Sequence, residues 1–152
     1  MAITITQAGN KDRERLQEFY KTGDRDFEKS RVEAYTSFGT TLIALDEENI
    51  VGTLRWLPQR ELDSGVAEIG GVNVLVNYQK LGVGSELLKE GIKNVKNYYK
   101  NRGKKARKVF VIVENSNKAA RVFYSKFGFN NIAKLNNLFS NNEETSFYCL
   151  DL

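Results

Sequence analysis

Directly ahead of an amphipathic run, the chain carries Gln79-Lys80-Leu81-Gly82-Val83-Gly84. Glycines let a backbone approach a ligand closely, and a helix start presents unpaired N–H groups at its positive dipole end. That is chemistry for a phosphate or pyrophosphate, although glycines at strand–helix turns are also common for structural reasons alone. The turn is not a Walker loop, because no Gly-Lys-Ser/Thr follows, and Leu87 stands where G-x-G-x-x-G needs its third glycine. The chain has no histidine and one cysteine. The absent histidines remove most metal constellations and every serine–histidine or cysteine–histidine pair, so no metal is expected. Cys149 has no partner for an internal disulfide and reads as a buried strand residue rather than an acyl-carrying nucleophile. Acid–base chemistry is left to carboxylates, lysine, tyrosine, water or backbone.

The elements that must position such a turn fit one domain. At 152 residues the length suits a single domain over residues 1–152, long enough to bury a core without staples. A content of 41% hydrophobic and 28% charged residues is that of a soluble globular protein. No stretch approaches the ~18 apolar residues of a membrane span, and Met1–Thr6 lacks signal-peptide character. A cytoplasmic setting is the expectation. The net charge of +4 suits an anionic small molecule without requiring one.

Ile3–Gln7 alternates and reads as a strand. Asn10 is placed to cap a helix reaching about Tyr20, with Leu16, Phe19 and Tyr20 inward, and a less regular helical piece is expected over Asp24–Phe38. Thr40–Asp46 and Ile50–Leu57 flank the polar turn Glu47-Glu48-Asn49 as a hairpin. Val66–Val76 reads as a long strand. After the glycine turn, Leu88, Ile92, Val95 and Tyr99 form one helical stripe that ends at Gly103 and a basic cluster from Lys100 to Lys108. Val109–Val113 is continuously apolar, as in a central strand covered on both faces. A helix over about Asn117–Lys126 follows, with Ala120, Phe123 and Phe127 together. Strands near Phe129–Lys134 and Thr145–Leu150 close the chain as a hairpin. These elements predict an α/β fold, a mixed sheet flanked by helices.

Two blocks together give a family resemblance. Gln79, Gly82 and Gly84 match Q/R-x-x-G-x-G/A at a strand-to-helix turn. Asn117, Ala120, Phe123, Tyr124, Lys126, Gly128 and Phe129 match N-x-x-A-x-x-(L/F)-Y-x-K-x-G-F. In this order, with a helix and a strand between them, they resemble the GNAT N-acetyltransferase superfamily over Val66–Phe129. The resemblance implies a mostly antiparallel sheet with a central, splayed parallel pair, here Val66–Val76 and Val109–Val113, and helices on both faces. It implies acetyl-CoA as cosubstrate. Backbone groups around Val72, Asn73 and Val74 would hold the acetyl carbonyl and pantetheine amides. The N–H groups of Lys80, Leu81, Gly82, Val83, Gly84 and Ser85 would hold the pyrophosphate, and Asn117 would position the pantetheine arm or simply cap its helix. Val76 replaces a frequent proline and Leu81 a frequent basic residue; neither change removes a backbone donor.

Transfer from a thioester to an amine needs a deprotonated amine, a polarised carbonyl and a protonated leaving thiolate. Glu68, on a mostly apolar strand, should have its pKa raised, which suits a base. It stands fourteen residues ahead of Gly82, a separation similar to that of the base in the histone-acetylating branch. The alternative is a carboxylate at an exposed strand start, paired with a surface lysine. Tyr124 fits the position of the family's tyrosine acid, a phenol protonated at neutral pH, or else it is a packing aromatic. The resemblance implies a primary amine as acceptor: a polyamine, aminoglycoside, amino acid, or protein N-terminus or lysine. Asp24, Asp26 and Glu28 are candidates to line its approach. A non-catalytic acyl-CoA-binding module is the alternative from another class. A nucleic-acid partner is disfavoured by the lack of interleaved aromatic and basic residues, no membrane partner is expected, and a homodimer stays open.

Overall fold

The structure, a computed structural model, describes residues 2–22, 39–139 and 142–152. The expected helical piece at Asp24–Phe38, with Asp24, Asp26 and Glu28, lies outside the described residues. The strands are β1 (Ile3–Gln7), β2 (Thr40–Asp46), β3 (Asn49–Gln59), β4 (Val66–Val74), β5 (Lys108–Glu114), β6 (Asn130–Asn136) and β7 (Glu144–Asp151). The described helices are α1 (Arg13–Thr22), α2 (Val83–Lys100) and α3 (Lys118–Lys126). All seven strands form one sheet in the order β1-β2-β3-β4-β5-β7-β6. Every pair is antiparallel except β4–β5.

Alternation along the strands sorts the side chains. Leu54, Trp56, Ala67, Ile69, Val109, Val111 and Val113 share one core cluster with Leu87, Leu88, Val95 and Tyr99 of α2 and with Tyr124 of α3. On the other face, Leu16, Phe19 and Tyr20 of α1 pack on Ile43 and Ile50. The Tyr20 hydroxyl donates to Thr53 Oγ1 at 3.2 Å there. Helices thus cover both faces, as expected.

The structure differs from the sequence reading at several points, β3 running on to Gln59 past the expected Leu57 among them. Asn10 does not cap α1. Asn10–Asp12 form a short 3-10 turn in which buried Asp12 accepts the Gly9 N–H at 2.9 Å and pairs with Arg15 at 3.0 Å. That carboxylate takes over the capping work, so α1 starts at Arg13. β4 stops at Val74 rather than Val76, because a 3-10 turn over Val76–Tyr78 redirects the chain and is pinned by the Tyr78 hydroxyl on Asp46 at 2.8 Å. β5 is not covered equally on both faces: Val109, Val111 and Val113 are buried, whereas Phe110 and Ile112 stay half-buried. The cause is that α2 and α3 lie on the same face of that half of the sheet.

α2 is fixed to the sheet by close approach and two polar anchors. A Cβ at Gly91 would lie 2.9 Å from both δ-carbons of fully buried Leu54, so only glycine lets the helix come this near. The Trp56 indole donates to Asn94 Oδ1 at 2.9 Å, and the Tyr99 hydroxyl donates to the Val66 carbonyl at 2.6 Å. Gly91→Val is therefore expected to cost about 1–3 kcal/mol by overpacking. Thermal unfolding followed by circular dichroism should show a Tm lowered by roughly 2–4 °C per kcal/mol. An unchanged Tm would mean that Leu54 repacks freely. No described helix is long and apolar enough to cross a membrane.

Candidate active site

β4 and β5 share only three register pairs, Val66–Lys108, Ala67–Val109 and Glu68–Phe110. The ladder then ends, although β4 continues to Val74 and β5 to Glu114. A bulge contributes to the parting: Arg55 pairs with Gly71 but Trp56 pairs with Ile69, leaving Gly70 as an extra residue in β4. Such an insertion bends its strand and increases its twist. The strands splay with Glu68 at the fork and Val72, Asn73 and Val74 along one open edge.

The glycine turn lies beyond the far end of that edge. Gly82 precedes α2 at φ 87°, a left-handed conformation that favours glycine, and Lys80 is also left-handed at φ 60°. No side chain caps the helix, so the first-turn N–H groups of Val83, Gly84 and Ser85 have no side-chain cap acceptor. A Cβ at Gly84 would lie 3.7 Å from Phe123, Val72 and Val74, which places the turn against both β4 and α3. Gln79, the first residue of the motif, donates from Nε2 to the Val74 carbonyl at 3.0 Å and braces the turn on the strand. Val76 and Leu81, the two departures from the family pattern, are exposed. The β1 side of the turn, lined by Ile3, Ile5, Glu86 and Glu90, carries carboxylates that would repel a phosphate.

Glu68 is half-buried and has no lysine partner among the described residues. Its Oε2 accepts from Gln59 Nε2 at 3.0 Å. Burial raises its carboxyl above the ordinary range, and the opposing influence is the positive charge of Arg55. The Arg55 side chain passes over Gly70, where a Cβ would be 3.6 Å from its Nη1. Glu68, Arg55 and Gln59 belong to the sheet face opposite α2.

Tyr124 belongs to the core rather than to an open surface. It is 4% exposed, with its ring edge-on to Phe123 at 5.1 Å and to Phe129 at 5.3 Å between centroids. Phe123, its neighbour, is the α3 residue that reaches Gly84. Asn117 caps α3, its Oδ1 accepting the Ala120 N–H at 3.1 Å. That leaves its amide NH2 as the group to face a ligand. Cys149 is half-buried on β7, in register with Phe110, and burial raises its thiol, which disfavours a nucleophilic thiolate.

The basic cluster is elsewhere. It follows the C-terminal end of α2, and 18 helical residues at ~1.5 Å each put it roughly 27 Å from the glycine turn. There Lys104 pairs with Asp63, Lys108 with Asp151, and Arg107 Nε donates to the Ser64 carbonyl at 2.8 Å. These are structural ties at a helix end. Among the described residues no group of three or more acidic or cysteine side chains is arranged to hold a metal.

Arg55, Gln59, Leu57 and Phe110 complete the surroundings of Glu68, and the sequence reading did not single them out. Arg55 had a usable signal, a lone charge inside the apolar run Ile50–Leu57. Gln59 had none, since it lies beyond the expected end of β3.

Residues 8–129 match the Acetyltransferase (GNAT) family. A search of curated protein sequences returns no match. A GNAT family acetyltransferase from Elizabethkingia anophelis, solved with acetyl-CoA bound, is similar with a TM-score of 0.77 and 22% identity over 99% of this chain and 98% of that one. The ribosomal-protein-S18-alanine N-acetyltransferase from Escherichia coli gives 0.78 and 17% identity, covering 99% and 94%. Ard1 from Thermoplasma volcanium gives 0.79 and 19%, covering 100% and 99%. At these identities the neighbours show the fold, a seven-stranded sheet with one parallel, splayed pair. The family match spans most of the chain and includes the glycine turn, the fork and α3, and on that ground the chain belongs to the GNAT acetyltransferase family.

Proposed function

We propose that this protein is an N-acetyltransferase that moves acetyl from acetyl-CoA to a primary amine by direct attack in a ternary complex. The observation that carries the reading is the position of Glu68, a half-buried carboxylate at the fork where the β4–β5 ladder ends. The residues present fit acetyl-CoA: the uncapped N–H groups of Val83, Gly84 and Ser85 suit a pyrophosphate, and the close approach at Gly84 leaves room for backbone contact. The N–H groups of Lys80, Leu81 and Gly82 complete the turn. The backbone of Val72, Asn73 and Val74 serves the acetyl carbonyl and pantetheine amides, and the Asn117 amide reaches the same arm from α3. Acetyl-CoA supplies an activated acyl group with a tolerable leaving thiolate.

The chain's own residues then manage protons. Glu68, ionised, accepts the amine proton directly or through one water, and burial strengthens it as a base. As the C–N bond forms and the C–S bond breaks, Tyr124 donates its phenolic proton to the departing sulfur. Gln59 and Arg55 hold the Glu68 carboxylate in place and ionised.

Thiol release from acetyl-CoA against a panel of amines is the direct test. Turnover on any amine supports the enzyme; binding without turnover on all of them favours a non-catalytic acyl-CoA-binding module. The turn gives a separate prediction. Gly84→Glu is expected to weaken acetyl-CoA binding about 10–100-fold, since its side chain must enter a space with ordinary contact distance left only for a methyl. Gly84→Ala should bind nearly normally. Calorimetry showing native affinity in a folded Gly84→Glu variant would sink the cofactor assignment.

A further inference from the structure

Glu68 is flanked by apolar side chains rather than by further carboxylates. Its register partners are Leu57 on β3 and Phe110 on β5, both half-buried. Phe110 stacks on Phe147 of β7, with ring centroids 6.3 Å apart and planes 22° from parallel. Ile112, in register with Phe147, extends this surface along the open edge of β5 beyond the fork. The platform begins one strand from Glu68 and ends two strands away, about 10 Å at ~4.8 Å per strand.

The charges on this face point the same way. Arg55 lies beside Glu68 and would repel a second ammonium close to the first. Lys108 is paired with Asp151, and Glu114 stands at the far end of β5. Among the described residues, one carboxylate is therefore available near the fork. It matches one amine, and the remaining surface matches hydrocarbon.

Resting on the acetyltransferase reading above, we propose that the acceptor is a primary amine bearing an aromatic or branched apolar group within about 10 Å of its nitrogen, two strand spacings away. The amine meets Glu68 and the apolar group seats on Phe110, Phe147 and Ile112. Polyamines and aminoglycosides, which offer this platform little hydrocarbon surface, are the weaker acceptors. A free arylalkylamine and a peptide N-terminus with an apolar first residue share this chemistry.

The experiment compares 2-phenylethylamine, ethylamine, spermidine, kanamycin and a tetrapeptide beginning with Phe in the thiol-release assay. Apolar substituents on a pocketed substrate are worth about tenfold or more each, so 2-phenylethylamine or the peptide should exceed ethylamine and spermidine by at least about tenfold in kcat/KM. Which of the two leads separates a small-molecule enzyme from a peptide-directed one. Phe147→Ala should raise KM for the aromatic acceptor about tenfold and leave that for ethylamine unchanged, while Phe147→Leu retains most of the preference. Spermidine, kanamycin or ethylamine performing as well as the aromatic amines overturns the proposal, as does an equal loss for all amines in Phe147→Ala. Turnover of any amine keeps the acetyltransferase reading whichever amine leads. Should none turn over, calorimetric titration of 2-phenylethylamine into the CoA-saturated protein decides: saturable binding weakened by Phe147→Ala and largely kept by Phe147→Leu supports the platform, and no binding, or binding that Phe147→Ala leaves unchanged, overturns it.

Discussion

Tyr124→Phe is expected to bind acetyl-CoA with near-native affinity and to turn over its best amine about 10²-fold more slowly. The substitution keeps the ring, which is held edge-on between Phe123 and Phe129, and removes only the hydroxyl. Packing is therefore preserved, and loss of at most one hydrogen bond, ~1 kcal/mol, should leave Tm within roughly 2–4 °C of wild type. The cofactor contacts proposed above are backbone groups on β4 and at the start of α2, with the Asn117 amide, and none is the Tyr124 hydroxyl, so affinity should not follow the rate. The lower end of the general-acid range applies because a CoA thiolate is already a tolerable leaving group. Single-turnover kinetics give the reading where chemistry limits. A wild-type rate would make Tyr124 a core aromatic and leave the proton to water or the acceptor.

Glu68→Gln is expected to lower kcat/KM at neutral pH by about 10²-fold or more and to recover as pH approaches that of the free amine. In the wild type, kcat/KM should rise with pH through the Glu68 carboxyl, which burial places above its ordinary range, and then level. The variant should lose that limb and follow the acceptor amine alone. Stability should move in the opposite direction. A carboxyl whose pKa is raised by folding is penalised when ionised, a cost absent below the unfolded-state pKa and fully present above the folded one. Glu68→Gln removes that cost at neutral pH, and its amide oxygen can still accept from Gln59. Its Tm should therefore equal or exceed that of wild type, a pattern typical of groups kept for function. An unchanged pH–rate profile would reduce Glu68 to a structural residue.

Most of the fold could be read from local pattern, because β2 and β3 are apolar runs flanking a polar turn and α2 carries a helical stripe. The Leu88, Val95 and Tyr99 stripe is fully buried. What escaped depended on partners distant in sequence. Asn10 looks like a cap until the Asp12 carboxylate is seen reaching back to Gly9. Val76 looks like strand until Tyr78 is found bonded to Asp46, 32 residues away. The continuous apolar run of Val109–Val113 suggested cover on both faces, but such a run cannot say that α2 and α3 choose the same side. At the site, the glycine turn and Glu68 stood out by type and spacing. Gln59 did not, since it lies beyond the expected end of β3, and Arg55, a lone charge in an apolar run, is tied to Glu68 only through a β3–β4 register whose bulge no local pattern announces.

The three-pair seam between β4 and β5 also bears on how the molecule opens. Among the described residues it is the only ladder joining the antiparallel set β1–β4 to the antiparallel set β5-β7-β6. α1 and α2 pack on the first set and the second keeps its own ladders, so each retains hydrogen-bonded structure if the seam parts. Amide protons at Val66–Glu68 and Lys108–Phe110 should thus exchange through a sub-global opening of lower free energy than that governing β2 and β3. A molecule bound across the fork touches both sets, and at 100 times its Kd adds about 2.7 kcal/mol to any opening that releases it. Saturation with cofactor should draw seam exchange toward the rate of global unfolding, so that the seam opens only with the core the two strand sets share.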